Sequence, residues 1–308
     1  MLSSALNRAS RSRRVRRVVE RVPVTRRVVD RFVAGEEIAD VVLAGEYLRR
    51  QGRSVTIDVL GEDVTDAAGA AATTAAYLAL LAALAEKNCA EGADVSLKLS
   101  ALGQALPGSG DEIAESNARA VCEAAAAVGA TVTLDMEDHT TVDSSLAIGA
   151  KLRVEYPLTG TVLQANLRRT ERDLAELAQP GTRIRWVKGA YREPRSVAYQ
   201  QKAEVDDAYR RGVRSLMESG CYPMIATHDP AMIEHALRAA ARTGRSAADW
   251  EAQMLYGVST GRQRELVEQG RRLRVYVPFG TDWYGYFMRR LAERPANVAF
   301  FLRALARG

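Results

Sequence analysis

From about residue 55 onward, short β-branched and apolar runs alternate with longer amphipathic stretches, and this alternation restricts the fold more than any other feature of the chain. The runs read VTIDVL (55–60), VSLKLSAL (95–102), TVTLDME (131–137) and TVLQANL (161–167). They continue with IRWVKGAY (184–191), PMIATH (223–228), EAQMLYGV (251–258) and LRVYVPFG (273–280). Strands separated by helices build parallel sheets from βαβ units. An open, doubly wound sheet produces the same alternation. About eight successive units without a mid-chain break favour closure, so the expected class is α/β, a (βα)8 TIM-like barrel. The chain's 308 residues, 47% of them hydrophobic, suffice for such a domain. Residues 1–53 are expected to form an N-terminal helical arm and 54–308 the barrel, with a last helix from about residue 283.

Charge and cysteine content narrow the function classes. Basic residues number 43 against 38 acidic ones, and many of them sit early, at Arg8, Arg11, Arg13, Arg14, Arg16, Arg17, Arg26 and Arg27. Such a run can dock on phosphates or anionic lipid. Val15, Val18, Val19 and Val22 recur between these arginines at helical spacing, which reads more readily as a solvated helix face. Nucleic-acid binding is therefore not inferred. Cys89, Cys122 and Cys221 are odd in number and scattered, which fits a reducing cytoplasm better than a disulfide framework or a cysteine zinc site. The basic N-terminus lacks the apolar stretch of a secretory signal. The alanine-rich stretch from Ala67 to Ala85 is only weakly hydrophobic and is broken by Thr73 and Thr74, so it reads as a buried helix. Any membrane contact is then peripheral.

In barrels of this kind the chemistry sits at the carboxyl ends of the strands. Lys98, Asp135, Gln164, Lys188, Thr227, His228, Gln253 and Tyr276 fall centrally or late in runs that are otherwise apolar. So many polar groups on successive strands are hard to neutralise pairwise in a plain core, and a ligand site is the more economical reading. Gly108 and Gly110 have no third glycine at dinucleotide spacing, and no phosphate loop of the Walker type is present, so a nucleotide would be held by barrel loops. The cluster Asp135, Glu137, Asp138 and His139 offers metal-ligand chemistry, but only His228 and His235 remain to complete a site, and no metal is expected. A Schiff-base role for Lys98 or Lys188 needs a desolvated amine, whereas Asp135 on the next strand is expected to keep Lys98 charged. In the last helix, Tyr286, Arg289, Arg290 and Glu293 recur at spacings of three and four. Two arginines beside a tyrosine form a fork for a carboxylate, although a solvated Arg–Glu face has the same pattern.

The blocks SLKLSAL, LDME, LQANLRR, RWVKGAY, ATHD, QMLYGV and YVPFG, followed by YFMRRLAERPAN, resemble in order and spacing those of the proline dehydrogenase family. The resemblance runs from about residue 95 to 300. It implies oxidation of L-proline to 1-pyrroline-5-carboxylate by hydride transfer to FAD. It further implies electrons passed to a membrane quinone, peripheral contact with the inner face of the membrane, and handover to a pyrroline-5-carboxylate dehydrogenase. By the same resemblance Lys98 faces the substrate carboxylate with Asp135 as its acidic partner, Arg289 and Arg290 bind that carboxylate, and Glu293 fixes one guanidinium. Ala190 with Tyr191, Leu255, Tyr276 and Tyr286 wall the proline ring. Gln164, Arg185, Val187, Lys188, Thr227 and His228 bind FAD, with Arg185 near its reactive nitrogen and counted with Lys98 and Asp135 as catalytic. Trp186 stands where an aliphatic residue is common, and Asp229 follows His228 where some relatives have Asn. Other readings of the same barrel are a different flavin oxidoreductase, such as a folate reductase, and a non-redox lyase working through a lysine. A nucleic-acid binder using the basic arm is a further alternative.

Overall fold

The eight apolar runs form eight parallel strands that close into a barrel in chain order, β1 next to β2 and β8 back against β1. The computed structural model describes residues 29–61 and 64–293, the side chains of 291–293 excepted. The arginines from Arg8 to Arg27 lie outside the described residues. The strands are β1 (Ser54–Val59), β2 (Asp94–Leu97), β3 (Thr131–Leu134), β4 (Gly160–Gln164), β5 (Arg183–Val187), β6 (Tyr222–Ala226), β7 (Glu251–Leu255) and β8 (Leu273–Phe279). The helices are α1 (Ile38–Arg50), α2 (Ala67–Glu86), α3 (Gly110–Ala127), α4 (Val142–Glu155), α5 (Thr170–Leu177), α6 (Lys202–Glu218), α7 (Pro230–Arg242), α8 (Thr260–Glu268) and α9 (Trp283–Glu293). Of the expected arm, α1 is described, and it packs on β1 and β8.

Alternation along each strand separates two environments. Val55, Ile57, Val95, Leu97, Val132 and Leu134 point outward and pack with Leu80, Leu84 and Val121 of α2 and α3. Ile184, Trp186, Ile225, Ala252 and Met254 do the same against Tyr209, Val213 and Leu216 of α6 and against α7. The Trp186 ring fills the space over Gly212, where an added Cβ would come within 2.0 Å of it, and its Nε1 donates to the Tyr209 carbonyl at 3.0 Å. The bulk at this position therefore belongs to the outer layer and faces away from the strand interior. Helix α2 is long and apolar enough to cross a membrane by length and composition alone. It lies on the barrel, capped by Asp66 through the Gly69 amide, with Tyr77, Leu80, Leu81 and Leu84 buried.

Most inward-facing residues are polar, with Val162 and Met224 among the exceptions. At the amino-terminal end Asp94 accepts from Thr56, Thr131 and Thr133 and from the guanidinium groups of Arg183 and Arg185, each at 3.2 Å. Arg274 pairs with Glu251 at 2.7 Å, and Glu251 accepts from Gln253 at 2.6 Å. Burial alone would raise the Asp94 carboxyl, but Arg183, Arg274 and Arg185 outweigh it and hold it below the usual carboxylate range. A carboxylate of this kind stabilises the fold fully above its unfolded value of about 3.9, and the contribution is lost as pH falls through the lower folded value. Removing one partner of a buried charge group costs about 3–5 kcal/mol because the others stay buried without it. Asp94→Ala is accordingly expected to lower the free energy of unfolding, extrapolated from denaturant titration at neutral pH, by that amount. A variant as stable as the parent would mean that Arg183 and Arg185 do not depend on this carboxylate.

Candidate active site

The carboxyl ends of the strands enclose a cavity of about 440 Å³, within the range of small-molecule sites. Its floor is built around Arg185. This buried side chain crosses the barrel interior: Nε donates to Gln253 at 2.7 Å, and Nη1 donates to Ser96 at 2.8 Å and to Asp135 at 2.7 Å. Its other terminal nitrogen reaches Asp94. The second oxygen of Asp135 accepts from the Tyr276 hydroxyl at 2.8 Å. Burial, followed by the charges of Asp135 and Asp58, pushes the Tyr276 phenol well above its ordinary value, so it keeps its proton and donates a hydrogen bond. Arg185, Asp135 and Tyr276 thus form one hydrogen-bonded chain that joins β5, β8 and the residue after β3.

Lys98 is not the partner of Asp135. Its ammonium donates to both oxygens of Asp58, at 2.8 and 2.9 Å. The correction has a geometric cause: β2 has a neighbour on each side, and the planar, multi-donor guanidinium of Arg185 engages Asp135, while β1 presents Asp58 to Lys98. Burial raises the Asp58 carboxyl, and Lys98 brings it only part of the way back. Asp58 was the residue missed by the sequence reading. Its signal was a carboxylate inside the apolar run VTIDVL, the same anomaly that drew attention to Lys98. A lysine engaged by both oxygens of one carboxylate is a donor and not a free amine, which speaks against Schiff-base chemistry at this position.

The remaining polar candidates gather on the other side of the cavity. Lys188 is held between Asp206 at 2.5 Å and Asp229 at 2.9 Å. Burial works against both acids, but Lys188 keeps them below the usual carboxylate range. Asp229 also caps α7 through the Ala231 amide, so this side chain both ends a loop and orients the lysine. The His228 Nε2 lies 2.8 Å from the Leu255 amide. An N–H can only donate, so this nitrogen accepts and the neutral ring carries its proton on Nδ1. Gln164 donates to the Glu137 carbonyl at 2.8 Å, and the Thr227 hydroxyl accepts from the Asp229 amide at 3.1 Å. Gly189 has φ +104, and a Cβ there would strike the Asn166 side chain at 2.1 Å, so the strand-end backbone runs against that amide with no room for a substituent. The buried Asn166 Oδ1 has no hydrogen-bond partner among the described residues.

Ala190, Tyr191, Leu255, Tyr276 and Arg290 line the cavity together with Gln164, Arg185, Val187, Lys188, Thr227 and His228. Lys98, Tyr286 and Arg289 stand outside its wall. Arg290 descends from α9, with its guanidinium carbon 5.1 Å from the centre of the Tyr286 ring. The Glu293 side chain lies outside the described residues. The acidic cluster after β3 is dispersed: Glu137 accepts from the amide and hydroxyl of Ser100, Asp138 caps Thr140, and His139 pairs with Glu193. Among the described residues no group of three His, Cys, Asp or Glu side chains is arranged to hold a metal ion.

Residues 42–303 match the profile of the proline dehydrogenase family. Over 260 residues, 84% of each chain, the sequence is 39% identical to proline dehydrogenase 2 of Bacillus subtilis (strain 168). Over 265 residues, 85% of this chain and 84% of the relative, it is 40% identical to proline dehydrogenase of Deinococcus radiodurans. Among solved structures, proline utilization A of Bdellovibrio bacteriovorus, inactivated by N-propargylglycine, superposes with a TM-score of 0.81 at 25% identity. That match covers 87% of this chain and 33% of the other, so the chain spans about a third of that protein. The barrel, the ordered set of polar strand ends and these matches agree: the chain belongs to the proline dehydrogenase family.

Proposed function

We propose that the cavity binds L-proline against FAD, oxidises it to 1-pyrroline-5-carboxylate and passes the electrons to a membrane quinone. The observation that carries this reading is the composition of the wall. Arg290 lines the cavity together with Leu255, Ala190 and Tyr276, a combination that suits a small ring with a carboxylate at one end. The opposite wall offers Lys188, the Nδ1–H of His228 and a glycine-lined strand end, a donor set that fits a nucleotide cofactor. FAD, when bound, supplies the two-electron acceptor that no side chain can provide.

The chain's own residues bind and orient. Arg289 and Arg290 take the carboxylate through charge-assisted hydrogen bonds, with Glu293 steadying one of them. Leu255, Tyr276 and Ala190, with Tyr191 and Tyr286 nearby, press the ring towards the cofactor at near-attack distance. Gln164, Val187, Lys188, Thr227 and His228 hold the cofactor, and Arg185 fixes the floor beneath it. Because Asp58 already balances Lys98, the lysine steers the carboxylate and contributes less binding than the arginines. Residues 1–53 act as an arm to the catalytic unit 54–308. Its early arginines support peripheral contact with the inner face of the membrane at about 1 kcal/mol per basic residue near anionic lipid. The product passes to a pyrroline-5-carboxylate dehydrogenase.

Purified protein is expected to be yellow, to release FAD on denaturation, and to lose its visible flavin absorption when L-proline is added without air. Protein that binds FAD but keeps its spectrum with proline would refute the substrate. Each charge-assisted bond contributes on the order of 1.5–3 kcal/mol, so methionine at Arg289 or Arg290 should weaken a carboxylate analogue of proline by roughly ten- to a hundredfold. FAD content should not change, and titration followed by the flavin spectrum separates binding from turnover. Asp135→Ala should lower proline turnover by roughly tenfold or more while FAD stays bound, since it removes the acceptor shared by Arg185 and Tyr276 at a cost of about 1–3 kcal/mol. An unaltered rate would assign the Arg185–Asp135–Tyr276 chain to stability alone.

A further inference from the structure

We propose that Glu193 is a positioning residue, whose buried carboxylate latches the loop after β3 to the loop after β5 and so fixes the Ala190–Tyr191 wall of the site. The inference rests on the proline oxidation reading for its kinetic consequence but not for its structural one. Glu193 has a side chain only 2% exposed although it lies in a loop between β5 and α6. Its Oε1 accepts the His139 amide at 3.0 Å, and its Oε2 meets the His139 Nδ1 at 2.5 Å. A carboxylate is withdrawn from water at a loop only where its hydrogen bonds replace hydration, and here both oxygens are spent on one residue of another loop.

The placement gives the latch its reach. The far half of the β5–α6 loop is held by the loop after β4: Leu167 bridges to Ala198, Arg168 donates to the Val197 carbonyl at 2.9 Å, and Tyr199 donates to the Asn166 carbonyl at 2.8 Å. The near half carries Gly189, Ala190 and Tyr191 along the cavity and is anchored through Glu193. On the other side, His139 ends a segment in which Met136 lines the cavity and Glu137 receives Gln164. One carboxylate therefore ties a wall from β5 to a wall from β3, and the Glu193 carbonyl is itself held by Gln200 at 3.2 Å.

The test compares Glu193→Ala, Glu193→Gln and His139→Ala in the full-length holoenzyme. Gln keeps an acceptor for the His139 amide and gives a donor to its ring, whereas Ala removes both bonds. Glu193→Ala should raise KM for L-proline about tenfold and leave kcat within about threefold, because the loss falls on binding and not on the floor of the site. Glu193→Gln should restore wild-type KM, and His139→Ala, which keeps the backbone bond, should fall between. Amide hydrogen exchange is read in parallel. In Glu193→Ala it should rise together in residues 137–141 and 189–193, and in Glu193→Gln in neither. A Glu193→Ala enzyme with a lower melting temperature but unchanged KM would overturn the proposal, as would faster exchange in one loop alone or a Gln variant that behaves like Ala. If the protein oxidises no proline yet shows the coupled exchange, the latch stands and the substrate assignment falls.

Discussion

The charges enclosed by the barrel must balance, and the site is the upper end of that balance. Asp58, Asp94, Asp135 and Glu251 face Lys98, Arg183, Arg185 and Arg274 in an interior where aliphatic layers are the more common filling. Each buried ion loses several kcal/mol of hydration, and only a partner with good geometry returns it. Arg185 joins the two levels, since its guanidinium reaches Asp94 towards the amino-terminal end and Asp135 at the floor of the cavity. Glu251 and Asp94 outweigh the cost of burying Arg274 and raise its basicity further, while Arg274 in turn keeps Glu251 low. Positional rigidity at the cavity floor is thus inherited from ion pairs about two residues deeper along the strands.

The same frame explains which layers carry stability and which carry specificity. Aliphatic burial lies outside the barrel wall, where strand residues meet helices in two large clusters. The inner face contributes little hydrophobic free energy and cannot collapse around a lost group without stranding another charge. Substitutions inside the barrel are therefore coupled to one another, whereas outer-layer changes such as those around Trp186 and Gly212 act through volume.

Sequence reading reached the barrel because the hydrophobic period is local, and all eight expected runs are strands. It overran their carboxyl ends: VSLKLSAL leaves the ladder after Leu97 and turns into a short 3-10 segment at Ser100–Leu102, and IRWVKGAY stops at Val187. Those residues keep strand-like composition while their backbone turns away to build the site, so composition cannot mark the boundary. The polar candidates at Gln164, Arg185, Lys188, Thr227, His228 and Tyr276 do gather at one cavity. Which acid each cation takes was not legible, because Lys98 has a strand neighbour on either side and sequence does not rank Asp58 against Asp135. The outward direction of Trp186 could have been read from strand parity, since it adjoins the inward Arg185. Arg183 lies just before the run IRWVKGAY and Arg274 is the second residue of LRVYVPFG, and nothing local indicates that they turn inward.

Balanced pairing at the floor has a consequence for where an anionic ligand finds its counter-charge. Lys98 is met by Asp58, Arg185 by Asp135 and Asp94, and Lys188 by Asp206 and Asp229. On the proposed reading, the cations that hold the carboxylate belong to α9, and α9 is not a barrel helix in the ordinary sense. It turns over the mouth directly after β8, with Trp283, Tyr284, Tyr286, Phe287 and Met288 packed against Val29, Phe32, Val33 and Leu60. The chain before α1 is fastened to the same place: the Ala34 amide donates to the Pro278 carbonyl at 2.9 Å, the Gly280 amide to the Gly35 carbonyl at 3.0 Å, and the Trp283 Nε1 to Glu36 at 3.1 Å. On that reading, substrate affinity depends on contacts between segments at opposite ends of the sequence, while the floor beneath the ring depends on the barrel alone. On the same reading the two can change separately: loosening the segment before α1 alters how tightly a carboxylate is held, whereas substitutions among the interior charges alter the floor against which the ring is presented.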